Sequence, residues 1–179
     1  YWEDRILKMK AMGCNTLETY TAWNLHEPEQ GEFDFEGMLD FVKFVNIAAQ
    51  YDMYVIVRFS PYMCAEWENG GIPYWLLKDK NIRVRSRDPK FMAAVKSYYD
   101  EILKRIKPLF ATNGGPVIAT QLENEYGCTN DDIAYMQEHY DYLTQNGVDI
   151  PMFSCTWVED RAIKNSYLPG TILAANFRS

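Results

Sequence analysis

The sequence predicts an α/β fold built on a parallel sheet, because helix-like and strand-like stretches alternate along most of its 179 residues. The strand-like stretches are short apolar runs, which is typical of strands covered on both faces. The stretches between them repeat apolar residues at helical spacing. The predicted order is α, β, α, β, α, β, α, β, a less regular stretch at 157–170 and a last strand. A barrel of eight βα units and an open doubly wound sheet both fit this order.

The first helix is predicted over 1–12 and the first strand over 15–20. The helix repeats its apolar residues at helical spacing, and Gly13 is suited to its C-terminal cap. In the strand, alternation places Glu18 and Tyr20 together on one face. A loop rich in aromatic and charged residues follows, and function often lies in such loops.

The second helix is predicted over 36–51 and the second strand over 54–57, ending at Arg58. Glycine, proline, tryptophan and glutamate dominate the next segment, 59–77, which argues against regular structure and favours a wall of a binding site. The predicted helix has a buried stripe made of Met38, Phe41, Val45 and Ala48.

The second half continues the alternation. A helix is predicted over 88–109, because an Asp-Pro pair at 88–89 is a typical helix start. A strand is predicted over 117–122, after a Gly-Gly-Pro turn. Periodicity then predicts a helix over 131–146 and strands over 151–156 and 171–176.

The barrel is the favoured choice of the two architectures. A nucleotide-binding sheet carries a glycine-rich loop between strand and helix, whereas Gly114 and Gly115 precede their strand, and no helix start follows Gly70 and Gly71. A complete barrel takes about 250 residues. We therefore expect residues 1–179 to be an internal part of the barrel with about five βα units, its first, seventh and eighth strands lying outside the chain.

The composition restricts the classes of function. A content of 47% hydrophobic and 15% aromatic residues is typical of a globular chain, and a formal net charge of −7 argues against nucleic acid, because phosphate binding needs a basic surface. No stretch reaches the roughly 18 apolar residues of a membrane span. The four cysteines are far apart and the two histidines have no helical partner, so we expect free thiols, no metal site and no cofactor.

Polar and aromatic residues gather at the carboxyl ends of the predicted strands. Tyr20, Arg58 and the pair Asn124 and Glu125 end three successive strands, and Glu66 lies in the loop after the second. In a barrel these ends converge on one mouth, where catalytic residues sit. Acids, amides and rings are what glycosidic bond cleavage uses: one acid protonates the leaving oxygen, and a second carboxylate is the nucleophile or base.

Two carboxylates end the third strand. Alternation places Glu123 on the same face as Glu125, so either could act in catalysis. We expect Glu123 to be a structural acid paired with Arg58, because buried charges are usually paired, and Glu18 is a rival partner for that arginine. The end of the fourth strand, at 156–157, is also expected at the mouth.

Four blocks of the sequence are distinctive. They are Trp-Glu-Asp-Arg-Ile-Leu-Lys-Met-Lys-Ala-Met-Gly at 2–13, Thr-Tyr-Thr-Ala-Trp-Asn-Leu-His-Glu-Pro at 19–28, the stretch 58–77 with Cys-Ala-Glu-Trp-Glu-Asn-Gly-Gly at its centre, and Gln-Leu-Glu-Asn-Glu-Tyr-Gly at 121–127. In this order they resemble the signature blocks of glycoside hydrolase family 35, the β-galactosidases. The likeness is thinner after Gly127.

The resemblance implies an eight-fold βα barrel and a retaining mechanism on terminal β-D-galactosyl residues. It implies that Glu125 is the general acid/base and that Asn124 contacts the sugar next to the reacting carbon. Tyr20, Ala65 and Glu66 match positions that hold galactose hydroxyls. The family's nucleophile is a glutamate on the seventh strand, which we expect outside this chain.

Other residues of the matched blocks each have a structural role as the alternative to a functional one. Cys64 adjoins the expected site but is of a type that is more often a small buried hydrophobe. Trp67 and Trp75 are either platforms for a sugar face or packing under their loop. We expect His26 and Glu27 to fix their own loop through hydrogen bonds.

Two alternatives to a retaining β-galactosidase stay open in the sequence. One is a related barrel glycosidase that acts on another β-linked sugar such as glucosamine, and the other is a galactoside-binding relative without catalysis. The expected partners are a β-galactoside oligosaccharide or glycoconjugate, the remainder of the barrel and accessory β domains, with no nucleic acid and no membrane. The compartment is not encoded in these residues, with the cytoplasm slightly favoured.

Overall fold

A computed structural model describes residues 1–177, which are built around a parallel sheet with the strand order β1-β2-β3-β4-β5. The strands are β1 (Thr16–Tyr20), β2 (Tyr54–Arg58), β3 (Val117–Asn124), β4 (Met152–Trp157) and β5 (Ile172–Asn176). Each strand pairs with the next along the chain, so the carboxyl ends of all five lie along one edge. The predicted architecture is confirmed: these are successive βα units of a (β/α)8 barrel.

The strands are joined by helices of very different length. The helices are α1 (Trp2–Ala11), α2 (Trp23–His26), α3 (Phe41–Gln50), α4 (Pro89–Ile106), α5 (Tyr126–Thr129), α6 (Ile133–Gln145) and α7 (Asp160–Ser166). The longest, α4, starts as predicted: Pro89 is in its first turn, and the Asp88 carboxylate accepts from the backbone amides of Lys90 and Phe91. No helix within residues 1–177 combines the length and apolar character needed to cross a bilayer.

The core between the sheet and the helices is rich in aromatic side chains. Trp23 stacks on Tyr98 with 5.1 Å between ring centroids, and Tyr126 stacks on Tyr135 at 4.6 Å. The hydroxyl of Tyr98 donates to the Thr21 carbonyl at 2.9 Å, so its burial leaves no polar atom unpaired. Several of the many tyrosines of the sequence thus belong to the core.

Two predicted elements differ from the structure. Met38 is 83% exposed in a 3-10 turn, and α3 begins only at Phe41, because the Asp40 side chain caps it by accepting from the Lys43 amide. Helix α7 lies in the stretch that the sequence marks as less regular. It buries few side chains, Ala162 among them, and therefore carries little apolar periodicity.

Candidate active site

The strand registers gather the expected site residues along the carboxyl edge of the sheet. Tyr20 is paired with Arg58 across β1 and β2, and Asn124 with Cys155 across β3 and β4. Trp157 ends β4 opposite the last residue of β5. Side chains from all five strands therefore meet at one mouth, as the barrel hypothesis expects.

Arg58 is the centre of a polar network beneath this mouth. Its Nη1 donates to Glu18 Oε1 at 2.7 Å and to the Tyr20 hydroxyl, its Nε donates to Gln121 Oε1, and its Nη2 donates to Asn124 Oδ1 at 2.7 Å. Arg58 is only 9% exposed, and a buried charge needs such acceptors to offset its lost hydration. One guanidinium on β2 thus fixes side chains of both neighbouring strands, β1 and β3.

The network orients the side chains of Asn124 and Tyr20 at the mouth. Oδ1 of Asn124 accepts from Arg58 and from Gln121 Nε2 at 3.1 Å, which leaves Nδ2 as the group available to an acceptor on a substrate. Burial raises the pKa of Tyr20 against the lowering effect of Arg58, so the tyrosine hydroxyl stays protonated near neutral pH.

Glu123 is buried and paired, but its predicted partner is wrong. Its Oε1 accepts from Arg85 Nε at 3.1 Å and its Oε2 from Arg85 Nη2 at 2.8 Å, whereas the ion partner of Arg58 is Glu18. The reason is a register irregularity in β3 between Gln121 and Asn124. It breaks the alternation, so that the side chains of Gln121 and Asn124 meet on one face and Glu123 turns to the other.

Arg85 joins the loop before α4 to the end of β3. Its guanidinium lies 3.8 Å from the ring centroid of Tyr62 and 5.6 Å from that of Tyr126, and its Nη2 also donates to the Asn124 carbonyl at 2.8 Å. Burial raises the pKa of the Glu123 carboxyl, and the Arg85 guanidinium opposes that effect. Sequence reasoning missed Arg85, for which the only signal was a buried acid in need of a cation.

Glu125 stands at the top of the sheet. Its backbone is left-handed, with φ 51° and ψ 33°, and its amide donates to the Cys155 carbonyl at 2.9 Å. This conformation costs a residue other than glycine roughly 1–2 kcal/mol and is concentrated at functional sites. Because of it and of the irregularity in β3, Glu125 does not share a face with Glu123, contrary to the alternation assumed from the sequence.

One carboxylate oxygen of Glu125 is held by two donors. Trp157 Nε1 donates to Oε1 at 2.8 Å and Asn176 Nδ2 donates to the same atom at 2.7 Å. Both groups are donors only, so a proton on the neutral acid sits on Oε2. The contact of Trp157 agrees with the expected place of 157 at the mouth, whereas Thr156 is buried beside Cys128.

The loop after β2 contains three consecutive residues in the left-handed region. Cys64, Ala65 and Glu66 have φ of 59°, 53° and 50°, and the Trp67 amide donates to the Cys64 carbonyl at 2.9 Å. Such a run is rare outside functional loops. Ala65 and Trp67 line a cavity of about 460 Å³ together with Tyr20, and Glu66 is exposed.

His26 and Glu27 hold the loop after β1 in place through hydrogen bonds, as expected from the sequence. Glu27 is 2% exposed, and its carboxylate accepts from Trp23 Nε1 at 2.6 Å and from the Gly31 amide at 2.9 Å. Burial raises the pKa of Glu27. Trp75 Nε1 donates to the Glu27 carbonyl at 3.0 Å, and the His26 ring bonds the carbonyl of the same loop at 34. Trp75 is therefore packing and not a platform.

The described part of the chain offers no group of three or more His, Cys, Asp or Glu side chains arranged to hold a metal ion. The site instead combines the half-buried carboxyl group of Glu125, a buried amide, a tyrosine hydroxyl and an ion-paired scaffold. This set suits proton transfer to a bound polyol, with hydroxyl groups held by fixed donors and acceptors.

Comparisons with known proteins agree with this chemistry. Residues 1–178 match the family described as Glycosyl hydrolases family 35. The chain is 49% identical over 177 residues to a β-galactosidase of Xanthomonas manihotis, covering 99% of this chain and 29% of that protein. It is 41% identical over 182 residues to a β-galactosidase of Bos taurus, covering 99% of this chain and 27% of the relative. It thus spans under a third of the length of these relatives.

Solved structures support the barrel. The GH5_18 protein of Streptomyces cattleya, in complex with GlcNAc, superposes with a TM-score of 0.70 at 9% identity, over 90% of this chain and 41% of the other. An exo-β-1,4-mannosidase of Opitutaceae bacterium strain TAV5 gives 0.69 at 19% identity, over 90% and 29%. At such identities the likeness concerns the fold alone. Fold, motifs and family match agree, and the chain belongs to Glycosyl hydrolases family 35.

Proposed function

We propose that the protein to which these residues belong is a retaining β-galactosidase that hydrolyses terminal β-D-galactosyl residues, with Glu125 as its general acid/base. The observation that carries the proposal is Glu125 at the end of a barrel strand, with Oε1 held by Trp157 and Asn176 and Oε2 left to carry the proton. Relatives of this chain that carry the name β-galactosidase support the choice of sugar.

The galactose is held by the residues that the family motifs indicate. Tyr20 and Asn124 bind its hydroxyls as side chains whose orientation Arg58 fixes before the sugar arrives. Ala65 and Glu66 contribute from the left-handed turn of the loop after β2. Because these groups are preorganised, binding orders few of them, and more of the binding energy is left for positioning the glycosidic oxygen.

The reaction then needs two carboxyl groups about 5–5.5 Å apart. Oε2 of Glu125 gives its proton to the leaving glycosidic oxygen, while a second carboxylate attacks the anomeric carbon and forms a galactosyl ester. Glu125, now ionised, takes a proton from the water that hydrolyses this ester. We place the second carboxylate, the strands that complete the barrel and the accessory β domains beyond residues 1–179.

The roles of Cys64 and Trp67 follow from their neighbours. Trp67 is 44% exposed and its Nε1 donates to Asn24 Oδ1 at 3.0 Å, so its ring keeps a fixed position beside the galactose residues. Cys64 is half-buried at the start of the same turn, where it supports the loop. Neither side chain takes part in proton transfer.

The test is Glu125→Gln in the complete enzyme. We expect hydrolysis of a methyl galactoside, whose leaving group needs protonation, to slow by about 10²–10⁴-fold, and that of a dinitrophenyl galactoside to slow far less. Azide should restore turnover and give the β-galactosyl azide. Glu138→Gln, on the outer helix α6, is the matched control and should change neither rate. Equal slowing of both substrates would reject Glu125 as the acid.

A further inference from the structure

A second cavity lies beside Glu125. It has a volume of about 450 Å³ and is lined by Glu125, Trp157, Val158, Glu159, Asn176 and Phe177. It shares no lining residue with the cavity of Tyr20 and Ala65. Because Tyr20 ends β1, Glu125 follows β3, and Trp157 and Asn176 end β4 and β5, the acid stands between the galactose residues and this second cavity.

We propose that this cavity is the leaving-group subsite and that it takes an uncharged ring, either a neutral sugar or an aryl group. The inference rests on the proposed function. A general acid must touch the oxygen that leaves, so one end of the substrate lies on each side of Glu125. With galactose over β1 to β3, the leaving group extends over the ends of β4 and β5.

The apolar lining of the cavity fits a flat ring. Trp157, Val158 and Phe177 supply the apolar part of the lining. Aromatic rings offer the apolar face of a sugar or an aryl group a surface to pack on. The edge of the Trp157 ring is bonded to Glu125, so a group stacked on this ring has its linking oxygen close to the acid.

The charge of the lining selects against acidic leaving groups. Besides Glu125, the described lining contains the carboxylate of Glu159 and no lysine or arginine. A carboxylate or sulfate on the leaving group would face this charge, and neighbouring like charges disfavour binding. One such contact at about 4 Å in water changes an equilibrium about fivefold.

The experiment uses the complete enzyme and three kinds of probe. β-Galactosyl fluoride has no ring in its leaving group, lactose has a neutral sugar, and two aryl galactosides differ only by a carboxylate or a carboxamide. We expect Phe177→Ala to lower kcat/KM for lactose about fivefold while leaving the fluoride unchanged. Glu159→Gln should reduce the preference for the carboxamide over the carboxylate about fivefold at low salt.

Asp160→Asn is the matched control, because Asp160 is the adjacent exposed acid and does not line the cavity. It should leave the preference intact. If Phe177→Ala affects the fluoride as much as lactose, or if Glu159→Gln and Asp160→Asn act alike, the leaving-group subsite is refuted while the proposed function stands. If the unsubstituted enzyme fails to hydrolyse the fluoride, the proposed function itself is refuted.

Discussion

Replacement of Arg85 by Met tests the scaffold beneath the site. Arg85 makes two hydrogen bonds to Glu123 and one to the Asn124 carbonyl, while Glu123 is 0% exposed. After the substitution, Glu123 keeps the Asn124 amide at 2.7 Å and the distant Tyr135 hydroxyl at 3.5 Å. Breaking a buried ion pair in this way typically costs about 3–5 kcal/mol.

Protonation of Glu123 limits this loss. Its ordinary pKa is 4.5 and burial raises the pKa in the folded state, so the variant can relieve its buried charge by binding a proton. Binding that proton costs about 5 kcal/mol at pH 8 and about 1 kcal/mol at pH 5. Because the pKa of Glu123 is higher in the folded state than in the unfolded state, protonation of Glu123 stabilises the folded variant at low pH, and this stabilisation is lost as the pH rises. The destabilisation by Arg85→Met should therefore shrink from about 3–5 kcal/mol at pH 8 to about 1–2 kcal/mol at pH 5.

Urea unfolding followed by tryptophan fluorescence at both pH values measures this. Arg87→Met is the control: Arg87 bonds Asp132 at the surface, where ion pairs contribute little. Adding Glu123→Gln to Arg85→Met should restore most of the lost stability at pH 8, because no buried charge remains. A loss from Arg85→Met that equals the loss from Arg87→Met, or that is the same at pH 8 and pH 5, would refute the reasoning.

Three further outcomes are expected. His139 is 0% exposed, and burial lowers its pKa from 6.5 to about 3. Acidification from pH 6.5 to pH 5 should therefore cost about 2 kcal/mol of stability, because the unfolded chain binds a proton that the folded protein does not. His139→Leu should remove this pH dependence in the same unfolding assay. Gly127→Ala places a methyl group 2.2 Å from the Ala162 carbonyl and should cost about 2–3 kcal/mol; an unchanged unfolding midpoint contradicts this packing. Tyr20→Phe should lower kcat/KM for a galactoside about tenfold and change stability by no more than about 1 kcal/mol, and full activity would remove Tyr20 from the sugar site.

The strands could be predicted because each is a short apolar run between turn signals. The run 117–122 is a clear example: the observed strand β3 starts at the same residue and ends two residues later, at Asn124. Tyr20 and Arg58 could be placed at the mouth because parallel order alone brings strand ends together. These features depend on local sequence and on the one direction of the sheet.

Other features depend on contacts that no local pattern records. The irregularity in β3 turns Glu123 away from Arg58. The sequence Gln-Leu-Glu-Asn at 121–124 contains no glycine from which such an irregularity could be predicted. Arg85 reaches Glu123 across 38 positions, through a loop whose path is set by tertiary packing. The donors to Glu125 come from β4 and β5, where Trp157 and Asn176 carry no motif that distinguishes them from other strand ends.

The four acceptors around Arg58 have a consequence for how the sheet is assembled. Two of them come from β1 and two from β3, the neighbours of β2 on either side, so the guanidinium is satisfied only when the three strands are aligned as in the native state. A slip of one residue in either neighbour would carry its acceptors to the opposite face and leave a cation stranded in the barrel. Arg58 therefore favours the native strand register: it destabilises misaligned sheets that apolar packing alone would tolerate.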